Sequence, residues 1–141
     1  LSDVEKIIKS GADIIAYDAT NRKRPFSSKE IVSKIKNSNR LAMADCSNLQ
    51  DAKNAILEGA DIIGTTLSGY VGKNVKDTDK PDLNLVKQFK KLNSFVMAEG
   101  RYNSPDLAKK AILAGADAVT VGSAITRIDN ITNWFVKEIK K

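Results

Sequence analysis

One hexapeptide recurs three times along the chain, and it restricts the possible fold more than any other feature. Gly11-Ala12-Asp13-Ile14-Ile15-Ala16 returns as Gly59-Ala60-Asp61-Ile62-Ile63-Gly64, and again as Gly115-Ala116-Asp117-Ala118-Val119-Thr120. Each copy follows a helix-like segment and leads into an apolar run. The glycine suits the left-handed position just past a helix. Helix followed by strand, copied in tandem, predicts βα units and a parallel sheet.

Reading outward from the repeat predicts five strands and six helices. The first helix spans about residues 3–10, with Ser2 and Glu5 spaced as a capping box. Strands are expected at Ile14–Tyr17, Leu41–Ala44, Asp61–Gly64, Phe95–Ala98 and Ala118–Val121. Helices are expected from near Ser27, with Glu30 as its capping partner, from a cap at Ser47, over Pro81–Leu92, and from Ser104-Pro105. An amphipathic helix carrying Ile131, Trp134, Phe135 and Ile139 closes the chain. The polar segment Val71–Lys80 reads as a mobile loop.

The carboxyl ends of these strands share a character that the amino ends lack. They carry Asp18, Asp45, Thr65-Thr66, Glu99-Gly100-Arg101 and Gly122-Ser123. A strand covered on both faces stays apolar, so a charge at its end needs a reason. In parallel α/β folds that end of the sheet is where ligands bind. Asp45 and Glu99 each follow a short apolar strand and should point at one mouth, as acid, base or sugar-hydroxyl acceptor. A competing reading ties Glu99 to Arg101 or Arg127 as an ion pair. Asp18 is a candidate substrate contact, or a carboxylate that bonds its own loop. Thr65 and Thr66 are candidate donors to a ligand, or ordinary β-branched strand residues. Gly100, Gly122 and Ser123 suit close approach of the backbone to a phosphate. Arg101 and Arg127 supply cations to an acidic ligand.

Composition removes several alternatives. The chain of 141 residues has no histidine, so imidazole bases and nearly all zinc sites are excluded. Single Cys46 forms no internal disulfide and suits a reducing compartment. The net charge of +6 comes mostly from lysines spread along helical segments, not the basic and aromatic clusters of a nucleic-acid binder. No apolar run is long enough to span a bilayer and no signal peptide is read, so the cytoplasm is the expected location.

Taken together, Ile15-Ala16-Tyr17-Asp18-Ala19-Thr20, Met43-Ala44-Asp45, Gly64-Thr65-Thr66-Leu67-Ser68-Gly69-Tyr70, Ala98-Glu99-Gly100-Arg101 and Val121-Gly122-Ser123-Ala124-Ile125-Thr126-Arg127 resemble the N-acylglucosamine-6-phosphate 2-epimerase family. The resemblance runs along the whole chain. It implies a (β/α)8 TIM barrel of which residues 1–141 form one partial domain, strands four to eight, without the first three strands. It implies C2 epimerisation between N-acetylmannosamine 6-phosphate and N-acetylglucosamine 6-phosphate in sialic acid breakdown. Asp45 and Glu99 then act near the reacting carbon, while Asp18, Thr65, Thr66 and Arg101 contact substrate. Gly100, Gly122, Ser123 and Arg127 hold the phosphate. The family's catalytic lysine ends the third strand and has no match here. No metal or organic cofactor is implied, the partner is a small sugar phosphate rather than nucleic acid or membrane, and a homodimer is expected at full length. The alternatives are another phosphate-binding barrel enzyme, which the Ala-Glu-Gly-Arg string opposes, and a receiver-like signalling module. The latter needs an acidic pair after its first strand, where only Asp18 stands.

Overall fold

The computed structural model describes residues 1–71 and 80–140. Helices and strands alternate: α1 (Ser2–Lys9), β1 (Ile14–Asp18), α2 (Ser28–Lys36), β2 (Leu41–Asp45), α3 (Leu49–Glu58), β3 (Ile62–Gly64), α4 (Leu83–Lys90), β4 (Phe95–Glu99), α5 (Pro105–Leu113), β5 (Ala118–Thr120), α6 (Ser123–Thr126) and α7 (Ile128–Ile139). All strand pairs are parallel and the sheet order is β1-β2-β3-β4-β5.

That order decides the architecture. Crossovers between parallel strands are right-handed, and the chain here always steps in the same direction. Every connecting helix must therefore land on the same face. A doubly wound receiver reverses its stepping and covers both faces, so the receiver alternative is excluded. The helix-covered face carries the core, where Ile15, Tyr17, Ala42, Ala44, Ile63, Val96 and Ala98 meet Val32, Ile35, Ala52, Leu85, Val86 and Phe89. Burying a side chain such as Phe89, fully enclosed, contributes about 1.5–3 kcal/mol. The opposite face presents Ile14, Leu41 and Phe95, each a little under half exposed. It corresponds to the interior wall of a barrel.

The repeat has a mechanical role. Gly11, Gly59 and Gly115 all adopt positive φ, between 86° and 106°, and their N–H groups bond carbonyls of the last helical turn. The turns that follow α2 and α4 carry Asn39 and Asn93, at φ 56° and 54°. Asparagine is one of the few side chains that tolerates that region. All five strand-leading turns thus carry one residue of positive φ, though only three use glycine.

The aspartate of the repeat reaches back to the strand before it. Asp61 accepts the Ala42 N–H at 2.9 Å and pairs with Lys36 at 2.5 Å. Asp117 accepts the Val96 N–H at 2.8 Å and pairs with Lys90 at 2.7 Å. In return the Asp61 and Asp117 N–H groups bond the Ala42 and Val96 carbonyls. Asp13 stands at the edge strand β1, where its carboxylate is 89% exposed and, among the described residues, pairs with Arg40.

Several expected boundaries move by a residue or two. Ser2 is already helical and Leu1 holds the cap position without a side-chain bond, so the Ser2–Glu5 box does not form. A capping hydroxyl must lie just outside the helix on extended backbone. Ser27 and Glu30 do form the reciprocal box. Asn48, not Ser47, caps α3 by accepting from the N–H groups of Gln50 and Asp51. Ser47 instead gives its N–H and hydroxyl to the Asp51 carboxylate. Helix α4 begins after Asp82, which accepts the Leu85 N–H, rather than at Pro81. Non-helical backbone at Arg127 (φ −119°, ψ 86°) separates α6 from α7 and brings the described helices to seven rather than six. Apart from its end residues, the Val71–Lys80 loop lies outside the described residues. Among the described residues no helix is long and apolar enough to cross a membrane.

Candidate active site

The carboxylates end their strands, since Asp18, Asp45 and Glu99 are the last residues of β1, β2 and β4. Side chains alternate across a strand. Asp45 shares the face of Leu41 and Met43, and Glu99 that of Phe95 and Met97, which is the face without helices. Register sets Asp18 beside Asp45 and Glu99 beside Thr120. Strand β3 runs between the two candidate carboxylates and ends in Gly64-Thr65-Thr66.

Both threonine hydroxyls are engaged within the chain. Thr66 Oγ1 donates to Asp45 Oδ1 at 2.8 Å. Thr65 Oγ1 donates to the Glu99 carbonyl at 2.9 Å and accepts the Glu99 N–H at 3.0 Å. Thr65 is buried, so it fixes the backbone of Glu99 from the helix side.

Burial pushes the Asp45 carboxyl above its ordinary range, with the charge of Asp18 adding to the rise and the Thr66 hydroxyl opposing it. Burial also pushes Glu99 up, helped by the negative charge of Asp45 and again opposed by Thr66. Neither Arg101 nor Arg127 pairs with Glu99. Arg101 donates to the carbonyls of Ser68 and Lys80, at 2.5 and 3.0 Å, and stacks over the Tyr70 ring at 4.4 Å. Arg127 makes a two-point contact with Asp129, at 3.1 and 2.7 Å. Among the described residues neither carboxyl group meets a cation, and raised, half-buried carboxyl groups are suited to proton transfer.

A cavity of about 250 Å³ opens beside Glu99, lined by Thr66, Glu99, Gly100, Arg101, Gly122 and Ser123 together with Tyr70, Tyr102, Asn103 and Thr120, while Asp45 stands behind Thr66 and outside the lining. The structure thus brings together five of the expected ligand contacts around Glu99. Three others stand apart. Thr65 lies beneath the strand end. The Asp18 carboxylate bonds its own loop, accepting from the Thr20 N–H and hydroxyl at 2.8 and 2.6 Å and pairing with Arg22 and Arg24. The Arg127 guanidinium rests on Asp129, outside the lining. A larger hollow of about 370 Å³ lies beside the Arg22–Arg24 loop and holds neither candidate carboxylate, so size alone does not locate the chemistry.

Arg101 sits at φ +64°, directly after Gly100 at φ +98°. A left-handed non-glycine residue costs about 1–2 kcal/mol, which the two carbonyl bonds and the ring stack offset. Tyr70, Tyr102, Asn103 and Thr120 had no place among the expected contacts. Only Tyr70 had a signal, as the last residue of the Gly-Thr-Thr-Leu-Ser-Gly-Tyr string.

The model of the NanE family, putative N-acetylmannosamine-6-phosphate epimerase, matches residues 1–141. The chain belongs to this family. It is 58% identical over 133 residues to a putative N-acetylmannosamine-6-phosphate 2-epimerase of Vibrio vulnificus, covering 94% of this chain and 58% of that one. It is 56% identical over 135 residues to the bifunctional enzyme NanE/NanK of Brucella melitensis, covering 96% of this chain and 26% of that one. Among solved structures, the N-acetylmannosamine-6-phosphate 2-epimerase from Clostridium perfringens superposes with a TM-score of 0.91 at 40% identity, over 96% of this chain and 60% of that one. The chain therefore spans about three fifths or less of the epimerase-family proteins it matches. Its five-stranded parallel sheet has the TIM-barrel arrangement of the epimerase.

Proposed function

We propose that these residues form strands four to eight of an eight-stranded epimerase barrel that interconverts N-acetylmannosamine 6-phosphate and N-acetylglucosamine 6-phosphate. The observation that carries the reading is the carboxyl pair at the mouth. Asp45 and Glu99 flank β3, share Thr66 and lack a cation among the described residues, and Glu99 lines a cavity walled by Gly100, Gly122 and Ser123. The names of the relatives and of the superposed structure support the substrate.

In the open-chain sugar, C2 lies next to the aldehyde. Breaking the C2–H bond sends its electron pair into a C1–C2 double bond and moves the carbonyl π pair onto O1. Returning a proton to the other face of C2 reverses these shifts and gives the epimer. A carboxyl group of raised pKa, set at the mouth, donates a hydrogen bond to the developing O1 charge or relays the proton. Glu99 and Asp45 have that role. Backbone N–H groups at Gly100, Gly122 and Ser123 approach the phosphate, and Arg127 reaches it by leaving Asp129. Arg101, Asp18 and the two threonines shape the sugar side of the site.

The cavity beside Glu99 has no lysine in its lining among the described residues, and the family's principal base ends the third strand. We therefore expect the 141 residues alone to give no C2 exchange in deuterium oxide, read by the loss of the sugar's C2 proton signal. The same residues in a polypeptide that supplies a lysine-ending third strand should give it. Turnover by the 141 residues would sink the assignment of the base, and none by the completed barrel would sink the epimerase reading. We place the protein in the cytoplasm as a homodimer. The free thiol of buried Cys46 fits the first, and the exposed Ile128, Phe135 and Ile139 of α7 fit the second.

A further inference from the structure

An arginine at the mouth of a phosphate site is ordinarily a partner for the anion. Arg101 is engaged elsewhere. Its Nε donates to the Lys80 carbonyl at 3.0 Å and its Nη2 to the Ser68 carbonyl at 2.5 Å. The guanidinium carbon lies 4.4 Å from the centre of the Tyr70 ring. Among the described residues it pairs with no carboxylate.

The backbone on both sides is shaped around this contact. Gly69 stands at φ +75°, and a side chain there would come within 3.1 Å of Arg101 Nη2. Gly100 stands at φ +98°, where an added Cβ would lie 3.7 Å from Tyr70 Cε2, so the ring edge rests against it. Arg101 itself is left-handed at φ +64°. The carbonyl it grips belongs to buried Ser68, whose hydroxyl donates to Asp82, the cap of α4. One guanidinium thus joins the loop after β3, the approach to α4 and the loop after β4.

Only a planar fork can reach two carbonyls while stacking on a ring; the ammonium of lysine cannot. The held ring is 52% exposed and lines the cavity beside Glu99. Ligand pockets use aromatic rings as apolar walls and a few polar groups to fix orientation.

We propose that Tyr70 is the wall on which the carbon chain of the sugar phosphate rests, and that Arg101 is the positioning residue that clasps it there without touching the phosphate. The use of the wall rests on the epimerase reading; the clasp does not.

The test uses the complete barrel with ring-labelled tyrosine, the Tyr70 signal being assigned by Tyr70→Phe. Without ligand, Arg101→Lys should shift that signal as far as Arg101→Gln does, because lysine keeps the charge and loses the fork. An unmoved signal in a folded lysine variant would overturn the clasp. Inorganic phosphate should move the Gly100 and Ser123 amide signals and leave the ring still, whereas N-acetylmannosamine 6-phosphate should move both. In C2 exchange, both Arg101 variants and Tyr70→Ala should raise KM by about 10-fold, the lower end of what apolar contact in a pocket contributes, with kcat little changed. Arg101→Gln combined with Tyr70→Ala should lose little more than either alone. Inorganic phosphate should bind both Arg101 variants as it binds the unmutated protein. A lysine variant with unchanged KM, phosphate binding weakened in the glutamine variant alone, or additive losses would each overturn the proposal. If the sugar phosphate moves the Gly100 amide and not the ring, the wall falls and the epimerase reading stands. If it moves neither, the reading falls and takes the wall with it, and the ligand-free spectra still decide the clasp.

Discussion

Glu99→Gln, made in the complete barrel, is expected to lower the rate of C2 exchange by about 10²- to 10⁴-fold, the usual contribution of a positioned proton donor. Glutamine keeps the shape and one oxygen of the carboxyl group but carries no transferable proton. Binding of the sugar phosphate, measured by calorimetry, should change little. The same substitution should stabilise the fold at neutral pH. Burial and the charge of Asp45 raise the Glu99 pKa in the folded state. Between its ordinary value and that raised value, the folded protein binds more protons than the unfolded chain, so stability falls as pH rises through the window. Above the window the folded protein bears the full penalty of a half-buried charge, which glutamine removes. Thermal melts should therefore show a higher Tm for the variant at pH 7. The advantage should fade as pH drops below the ordinary glutamate range. An equal gain at pH 3 and pH 7 would rule out this origin.

At the opposite rim of the sheet, Asp61→Ala and Asp117→Ala are expected to lower stability by about 1–3 kcal/mol each. Each would strand a buried strand N–H, that of Ala42 or Val96, without an acceptor. At this chain length the loss lowers Tm by about 3–10 °C. Asparagine at either position keeps an acceptor oxygen and forfeits only a half-exposed lysine pair, so most of the loss should return. Asp13→Ala should be nearly silent, because that carboxylate is exposed and serves no strand N–H of the described residues. Lys90, followed by the Val96 N–H, holds the Asp117 carboxyl below its ordinary range. Its contribution is accordingly present above that ordinary range and lost as pH falls through the lowered folded value. Melts of the three alanine variants decide the matter. If Asp13→Ala proved as damaging as Asp61→Ala, the backbone-acceptor account would be wrong.

The parallel sheet was legible because the Gly-Ala-Asp repeat marks a helix end and a strand start in six residues. The equivalent turns at Asn39 and Asn93 went unnoticed as copies, since asparagine reaches the same left-handed backbone without looking like glycine. Polar strand ends pointed to the mouth, and Glu99, Gly100, Gly122 and Ser123 do meet there. Spacing along the chain did not reveal what the cations do. Arg101 is bound by carbonyls of the loop after β3 and Arg127 by its near neighbour Asp129, choices that depend on backbone turns rather than on residue type. The capping errors have the same root. Ser47 and Asn48 are both competent caps, and the one-residue difference is settled by Asp51 taking the serine.

The aspartates of the repeat also join the strands in twos. Asp61 binds β3 to β2 and Asp117 binds β5 to β4, and among the described residues no such bond links β3 to β4. A segment exchanged or duplicated at the β2–β3 boundary would leave Ala42 or its counterpart with an orphaned N–H. One exchanged between β3 and α4 carries its partner with it. The natural unit of recombination in this sheet is thus a strand pair with its helices, and a splice designed on that unit inherits a closed lower rim at each seam.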